Sequence, residues 1–140
     1  MSALILAKKV MTTPKKVMIV DDEQDIVGAL EAALEGYGYK LGCFTDPLQA
    51  IEEFKINSRD YALVISDIKM PGMDGFEFAR NVKETRGDMP VVLMTANEIS
   101  DFEFSSLLPP TVAAELLRKP FSNAQLLGFV RKYVGITEQH

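Results

Sequence analysis

The chain has 140 residues, of which 47% are hydrophobic and 25% are charged, and its formal net charge is −5. This size and composition are typical of a single globular domain that can bury a core. The acidic balance gives no reason to expect a nucleic-acid surface and disfavours binding to anionic membranes. A single cysteine, Cys43, excludes an internal disulfide and a cysteine-built metal site, and we expect a buried, inert thiol. The single histidine, His140, is the last residue, which argues against catalysis by histidine.

Residues 1–13 precede the first regular pattern and contain the apolar run LILA followed by two lysines. The run is far too short to span a bilayer. A signal peptide carries its positive charge before the apolar segment, whereas here the lysines come after it. We therefore expect a loosely ordered N-terminal extension over 1–13, one folded domain over 14–137, and a cytoplasmic protein.

Strand-like and helix-like patterns alternate along the rest of the chain. Short apolar runs predict strands at residues 16–20, 39–44, 61–66, 90–94 and 113–117. Apolar residues at helical spacing follow these runs and predict helices, three of which begin at the capping residues Asp46, Asp74 and Ser122. Such alternation is typical of βαβ units, which form a parallel sheet covered by helices on both faces.

The segment 97–111 departs from this regularity because Pro109 and Pro110 interrupt it. Proline lacks a backbone donor and disfavours helical geometry in the residue before it. We expect a short or irregular fourth helix over residues 99–107. Two aromatic residues in this segment, Phe102 and Phe104, are expected to be in the core or partly packed, with an exposed docking patch as the alternative.

Polar side chains stand at or just past the ends of four predicted strands. They are Asp21 and Asp22 after the first strand, Asp67 after the third, Thr95 after the fourth and Lys119 after the fifth. The carboxyl ends of parallel strands line one edge of a sheet, where ligands bind, so these side chains should meet in one crevice. Crowded carboxylates repel one another unless a cation joins them, and hard oxygen ligands with phosphate chemistry suit Mg²⁺. The sequence therefore predicts a phosphate site with a magnesium cofactor.

Four motifs in this order resemble the receiver domains of two-component response regulators, of the stand-alone chemotaxis-regulator type. They are VDDE at 20–23, DIKMPGMDG at 67–75, MTA at 94–96 and RKPF at 118–121. The resemblance runs from about residue 16 to about residue 134. It implies a flavodoxin-like, doubly wound α/β fold with five parallel strands in the order 2-1-3-4-5. It also implies a phosphorelay switch: a sensor histidine kinase or a histidine phosphotransfer protein donates a phosphoryl group, and affinity for an unknown downstream protein changes.

The resemblance implies a role for each polar residue of the crevice. Asp67 resembles the phosphoacceptor, a carboxylate nucleophile that attacks phosphorus. Asp22 resembles the direct Mg²⁺ ligand, with Asp21 acting mainly through a water, and Asp67 completes the side-chain ligands. Thr95 resembles the switch hydroxyl, which donates a hydrogen bond to a phosphoryl oxygen. Lys119 would pair with Asp67 before phosphorylation and with the phosphoryl group afterwards.

Three further residues are expected to modulate this chemistry. The backbone carbonyl of Lys69 would be the remaining Mg²⁺ ligand, and the side chains of Lys69 and Asn97 would flank the approach of water to the acyl phosphate. The third modulator, Leu116, departs from the family pattern, since receivers usually have an aromatic residue three positions before the conserved lysine. Phosphorylation and dephosphorylation would both be self-catalysed, so the protein is expected to be a switch and not an enzyme with an external substrate.

Two other functions remain open from the residues alone. The first is an interaction module of the same fold that no longer responds to phosphate, for which Leu116 is the sequence hint. The second is a phosphatase with an aspartyl nucleophile. Phosphatases of the dehalogenase type place that nucleophile in an Asp-x-Asp element after the first strand, whereas Asp21 and Asp22 are adjacent here.

Overall fold

The computed structural model describes residues 15–96, 98–108, 112 and 114–136. Its strands are β1 (Lys16–Val20), β2 (Lys40–Phe44), β3 (Tyr61–Asp67), β4 (Val91–Thr95) and β5 (Glu115–Arg118). Its α-helices are α1 (Gln24–Glu35), α2 (Pro47–Asn57), α3 (Gly75–Thr85), α4 (Asp101–Leu107) and α5 (Asn123–Val134). Strands and helices alternate along the part of the chain that the structure describes, apart from one 3-10 turn, Ser58–Asp60, before β3.

The five strands form one parallel sheet in the order β2-β1-β3-β4-β5, which confirms the predicted fold. The register aligns the carboxyl ends of the strands. Val20 of β1 lies beside Ser66 of β3, and Thr95 of β4 lies beside Arg118 of β5. Residues at or just after these ends therefore share one edge of the sheet.

The sheet separates two apolar cores because alternate strand residues face opposite sides. In β1, Val17 and Ile19 belong to one core, whereas Met18 and Val20 belong to the other. Helices α1 and α5 cover the core that contains Ile19, and helices α2, α3 and α4 cover the core that contains Met18. This double covering explains why the inner strands are apolar on both faces.

Three helices begin at the predicted capping residues. The Asp46 carboxylate accepts a hydrogen bond from the backbone of α2, and the Asp74 carboxylate accepts one from the backbone of α3. At α5, Ser122 and Gln125 form a reciprocal capping box. These caps satisfy backbone donors that have no partner within the helix, and they determine where each helix starts.

The end of the sheet differs from the sequence-based expectation. Strand β5 is Glu115–Arg118 and ends one residue later than predicted, whereas the predicted start at residue 113 lies outside the described residues. The polar residue Arg118 lies outside the predicted apolar run, and β5 is an edge strand that can expose such a side chain to solvent. The expected short fourth helix is present, as α4, which begins at Asp101 after the N-cap Ser100.

The two aromatic residues of α4 have opposite environments. Phe104 is buried and packs against Phe76 of α3, with 5.9 Å between ring centroids. Phe102 is 83% exposed. Residues two positions apart in a helix point to nearly opposite sides, so one face cannot bury both. The expectation of core packing therefore holds for Phe104 and is wrong for Phe102.

Several predictions fall on residues outside the described ranges. These are the N-terminal extension over 1–13, the domain limits at 14 and 137, the prolines at 109 and 110, and the terminal His140. Within the described residues, no helix has the length and apolar character needed to cross a membrane.

Candidate functional site

Each predicted site residue on the sheet lies where a strand ends. Asp21 and Asp22 directly follow β1, Asp67 is the last residue of β3, and Thr95 is the last residue of β4. Lys119 directly follows β5. The parallel topology therefore brings these residues, from four distant segments of the chain, to one edge of the sheet.

The three aspartates form a compact acidic cluster. Asp21, Asp22 and Asp67 each contribute one carboxylate oxygen, and these oxygens lie within 4.8 Å of one another. Asp21 is fully buried and Asp67 is 7% exposed, whereas Asp22 is open to solvent. Carboxylates so close together repel one another, and hard oxygen donors in this number suit a divalent cation such as Mg²⁺.

Lys119 joins two members of the cluster. Its Nζ lies 3.2 Å from Asp21 Oδ2 and 3.3 Å from Asp67 Oδ1, and its side chain is 17% exposed. The backbone N–H of Lys119 donates to the carbonyl of Thr95 at 2.7 Å. The ammonium and the end of β4 are thus held at the same rim as the carboxylates.

The surroundings shift the pKa values of this ion pair. Burial raises the pKa of the Asp67 carboxyl, and the negative charge of Asp21 raises it further, while Lys119 acts in the opposite direction without cancelling them. For Lys119, burial lowers the pKa, but the carboxylates of Asp21 and Asp67 outweigh burial and raise it above its usual value. The lysine therefore stays charged at neutral pH, and the Asp67 carboxylate is more basic than an ordinary aspartate.

The loop after β3 closes tightly on the phosphoacceptor candidate. Gly75 donates its backbone N–H to the carbonyl of Ile68 at 2.7 Å. A Cβ at Gly75 would collide with the Asp67 carbonyl oxygen and would lie 2.7 Å from Ile68 Cα. Only glycine lets α3 begin this close to the strand end, which explains the Asp-Gly pair that starts this helix.

Two contacts at the rim were missed from the sequence. The backbone N–H of Glu23 donates to Asp21 Oδ1 at 3.0 Å and fixes that carboxylate. The hydroxyl of Ser66 donates to the Asp67 carbonyl at 2.9 Å. An aspartate commonly accepts from the backbone two residues on, so the first contact had a recognisable signal. The second contact depends on the side-chain rotamer in a buried strand and had none.

The three expected modulators have different outcomes. The side chain of Lys69 is exposed in the loop after β3. Leu116 lies inside β5, half-buried against the core that contains Met18. Asn97 lies outside the described residues. The structure thus gives Leu116 a packing position, and the functional roles of all three stay predictions.

Cys43 is half-buried in β2. Burial, followed by the charge and a hydrogen bond of Glu31, raises the pKa of the thiol to about 12. The thiol is therefore protonated at neutral pH, which agrees with the expectation of an inert side chain.

Comparison with known proteins places this geometry in a family. The sequence profile described as the response regulator receiver domain matches residues 17–131. The chain belongs to the response regulator receiver domain family. Receiver domains are the phosphoacceptors of two-component signalling, so the predicted family and its general role are confirmed.

Solved structures share the fold of this receiver domain. The chemotaxis protein CheY4 of Vibrio cholerae is 28% identical, with a TM-score of 0.76, over 86% of this chain and 99% of CheY4. An uncharacterized protein from Neptuniibacter caesariensis is 30% identical, with a TM-score of 0.74, over 84% of this chain and 85% of its own. The receiver domain of the sensor histidine kinase PA1611 from Pseudomonas aeruginosa is 21% identical, with a TM-score of 0.74, over 88% of this chain and 99% of the PA1611 domain. That structure has a magnesium ion coordinated in its active-site cleft, and its likeness shows the fold alone.

Proposed function

We propose that this receiver domain is a phosphorylation-activated switch and that Asp67 is its phosphoacceptor. The observation that supports this most directly is the convergence of the three carboxylates within 4.8 Å, with Lys119 contacting two of them. Asp21 and Asp67 both belong to the acidic cluster and pair with the lysine, but Asp21 is fully buried, whereas Asp67 is partly accessible at the end of β3. A nucleophile, an adjacent cation and hard oxygen ligands are the parts that phosphoryl transfer requires.

The charge count at the site fits one divalent cation. Three carboxylates face one ammonium, which leaves two negative charges close together. Asp22 and Asp67 would hold Mg²⁺ with their oxygens, Asp21 would act mainly through a water, and the backbone carbonyl of Lys69 would complete the set. The magnesium ion in the cleft of the PA1611 receiver domain supports this choice of metal. When bound, Mg²⁺ neutralises charge that develops on the phosphoryl oxygens.

The chain's own residues account for the transfer step. A carboxylate oxygen of Asp67 attacks phosphorus, a new O–P bond forms, and the bond from phosphorus to the donor's imidazole nitrogen breaks, its electron pair leaving with the imidazole. The Lys119 ammonium pairs with Asp67 and then with a phosphoryl oxygen, while the Thr95 hydroxyl donates to another. Dephosphorylation is the attack of water on the same phosphorus, with Lys69 and Asn97 flanking its approach.

The donor is a sensor histidine kinase or a histidine phosphotransfer protein, and the response is a change of affinity for a protein partner. Phosphorylation acts as a ligand that shifts a pre-existing conformational equilibrium, because it interacts differently with the two arrangements. No nucleic acid and no membrane take part in this proposal. The net charge of −5 supports that restriction.

Mass spectrometry after incubation with acetyl phosphate and Mg²⁺ tests the assignment. The parent should gain the mass of one phosphoryl group, and Asp67→Ala should gain none. Asp25→Ala is the matched control, because Asp25 is an exposed carboxylate in the first turn of α1 and lies outside the acidic cluster. Uptake by Asp67→Ala, or none by a folded parent, would refute the proposal. Continuous release of phosphate from small phosphomonoesters would instead identify a phosphatase.

A further inference from the structure

Arg118 has no part in the site described above, yet it is the side chain of β5 nearest in register to Thr95. The two residues are paired across β4 and β5. The next residue, Lys119, donates its backbone N–H to the Thr95 carbonyl at 2.7 Å. The end of β5 is therefore fixed to the backbone of the predicted switch residue.

The guanidinium of Arg118 reaches from this point to the start of α4. Nη1 donates to the carbonyl of Ile99 at 2.5 Å, and Nη2 donates to Asp101 Oδ1 at 3.2 Å. Asp101 is the first residue of α4, and Ile99 lies two positions before it. The planar fork of arginine suits two divergent acceptors, which a lysine cannot contact with the same geometry. Arg118 at the end of β5 and Lys119 just after it thus hold the beginning of α4 and the Thr95 backbone, respectively.

Helix α4 is the shortest of the five α-helices that the structure describes. It has 7 residues, which is short for a helix to be stable without tertiary support. Its buried aromatic contact is Phe104 against Phe76. Leu116 of β5 is half-buried against the same core as Phe104.

We propose that Arg118 is a positioning residue that stabilises α4 in the arrangement in which Asp67 pairs with Lys119, and so opposes the switch. The inference depends on the proposed function, since the switch is the one that phosphorylation of Asp67 drives. When Thr95 moves toward a phosphoryl group, the end of β4 moves with it, and Arg118 is paired with that end. The contacts of Arg118 with Ile99 and Asp101 are then strained or lost. A contact made in only one of two arrangements sets the balance between them.

The exposure of the Arg118 and Asp101 side chains sets the expected size of the effect on binding of a phosphoryl mimic. The side chains of Arg118 and Asp101 are 48% and 99% exposed, so each contact is weak. Removing the arginine should favour the switched arrangement and tighten binding of a phosphoryl mimic about three- to fivefold. Arg118→Lys and Asp101→Asn remove part of the fork's contacts and should give smaller gains.

Calorimetric titration with beryllofluoride in the presence of Mg²⁺ measures this directly on the full chain. The parent, Arg118→Ala, Arg118→Lys and Asp101→Asn are compared, and the melting temperature of each is recorded. Arg86→Ala is the matched control. Arg86 donates to the carbonyls of Ser58 and Tyr61 and pairs with an aspartate, but at the opposite end of the sheet. It should lose stability without a change in beryllofluoride affinity.

The outcomes separate the two proposals. A parent that does not bind beryllofluoride with Mg²⁺ would refute the proposed function. A parent that binds, together with an Arg118→Ala variant that is folded and binds equally or more weakly, would refute the role of Arg118 alone. A loss of melting temperature without tighter binding would show that Arg118 only supports the fold.

Discussion

At the scale of single residues, Asp67 is held in a state that costs stability. Burial and the charge of Asp21 both disfavour its ionised form, and the contact with Lys119 at 3.3 Å offsets them only in part. A carboxylate kept basic and partly desolvated is a better nucleophile than one relaxed in water. Because its pKa is raised, Asp67 also makes the stability of the domain depend on pH in a predictable direction.

Asp67→Asn should make the domain more stable at pH 7 in a chelator, by roughly 1 kcal/mol, the usual scale of a point substitution. Because the folded-state pKa of Asp67 is raised, the folded chain binds more protons than the unfolded chain between the usual carboxyl pKa and the raised value. The free energy of unfolding of the parent therefore falls as pH rises through that window. The Asp67→Asn variant has no carboxyl group at this position to lose a proton, so its free energy of unfolding does not fall in this way. The difference in free energy of unfolding between variant and parent should therefore shrink toward pH 4. Urea unfolding followed by circular dichroism measures both proteins.

Asp25→Asn provides the comparison for this experiment. Asp25 is exposed in the first turn of α1, where its charge favours the helix, so the substitution should be neutral or slightly destabilising at pH 7. An Asp67→Asn variant that is less stable than the parent at pH 7 would contradict the picture of a strained carboxylate.

Gly75→Ala should destabilise the domain by about 2–3 kcal/mol and lower phosphorylation, because the added methyl group meets backbone atoms that cannot move aside. The colliding groups are the Asp67 carbonyl and Ile68 Cα. Gly28→Ala is the opposite case, since a Cβ there has nothing within 4 Å and the residue lies inside α1. That variant should gain about 0.5–1 kcal/mol from helix propensity. Equal thermal shifts for the two substitutions would show that α3 does not start against the strand end.

At the scale of elements, α5 depends on the capping box at its start. Ser122→Ala removes the acceptor for the backbone of Gln125, at 3.1 Å, and should cost about 1 kcal/mol in the free energy of unfolding. Ser106→Ala is the control, because its hydroxyl donates to a carbonyl inside the exposed last turn of α4. Chemical denaturation should separate the two variants clearly. A cost at Ser106 equal to that at Ser122 would argue against the capping explanation.

The sequence was sufficient for those elements whose patterns are local. Apolar runs and capping residues located all five strands and the helix starts at Asp46, Asp74 and Ser122. It was insufficient for the end of β5, because the polar residue Arg118 joins the strand through its pairing with Thr95 of β4, a partner that is distant in the sequence. The start of α4 had a missed local signal, since Ser100 and Glu103 form a Ser-x-x-Glu pair with the Glu103 N–H donating to Ser100.

The candidate site was predictable for a different reason. Its residues need only stand at the carboxyl ends of parallel strands, so the order of strands and polar residues along the chain was enough to bring Asp21, Asp67 and Lys119 together. Contacts that depend on side-chain reach were not predictable. The sequence analysis identified Arg118 only as the first residue of the RKPF motif. Its contact with the Ile99 carbonyl depends on the fold of the chain after β4.

At the scale of the whole molecule, the domain concentrates uncompensated charge at one rim of the sheet. The chain has a net charge of −5, and three carboxylates with a single ammonium meet at that rim. Self-repulsion there lowers the stability of the folded state, whereas an unfolded chain separates the same charges. A ligand that neutralises the rim should therefore stabilise the fold as a whole.

Mg²⁺ should raise the melting temperature of chelator-treated protein, because it binds the folded cluster and finds no such cluster in the unfolded chain. A free concentration ten times the dissociation constant stabilises a one-site protein by about 1.4 kcal/mol. Asp22→Asn removes the exposed oxygen ligand without disturbing the buried pair of Asp21 and Lys119, so most of the Mg²⁺-dependent shift should be lost. Asp25→Asn should retain it. Thermal scans at increasing Mg²⁺ measure the shift, and since nonspecific screening would act on all three proteins alike, identical shifts would mean that the acidic rim is not the metal site.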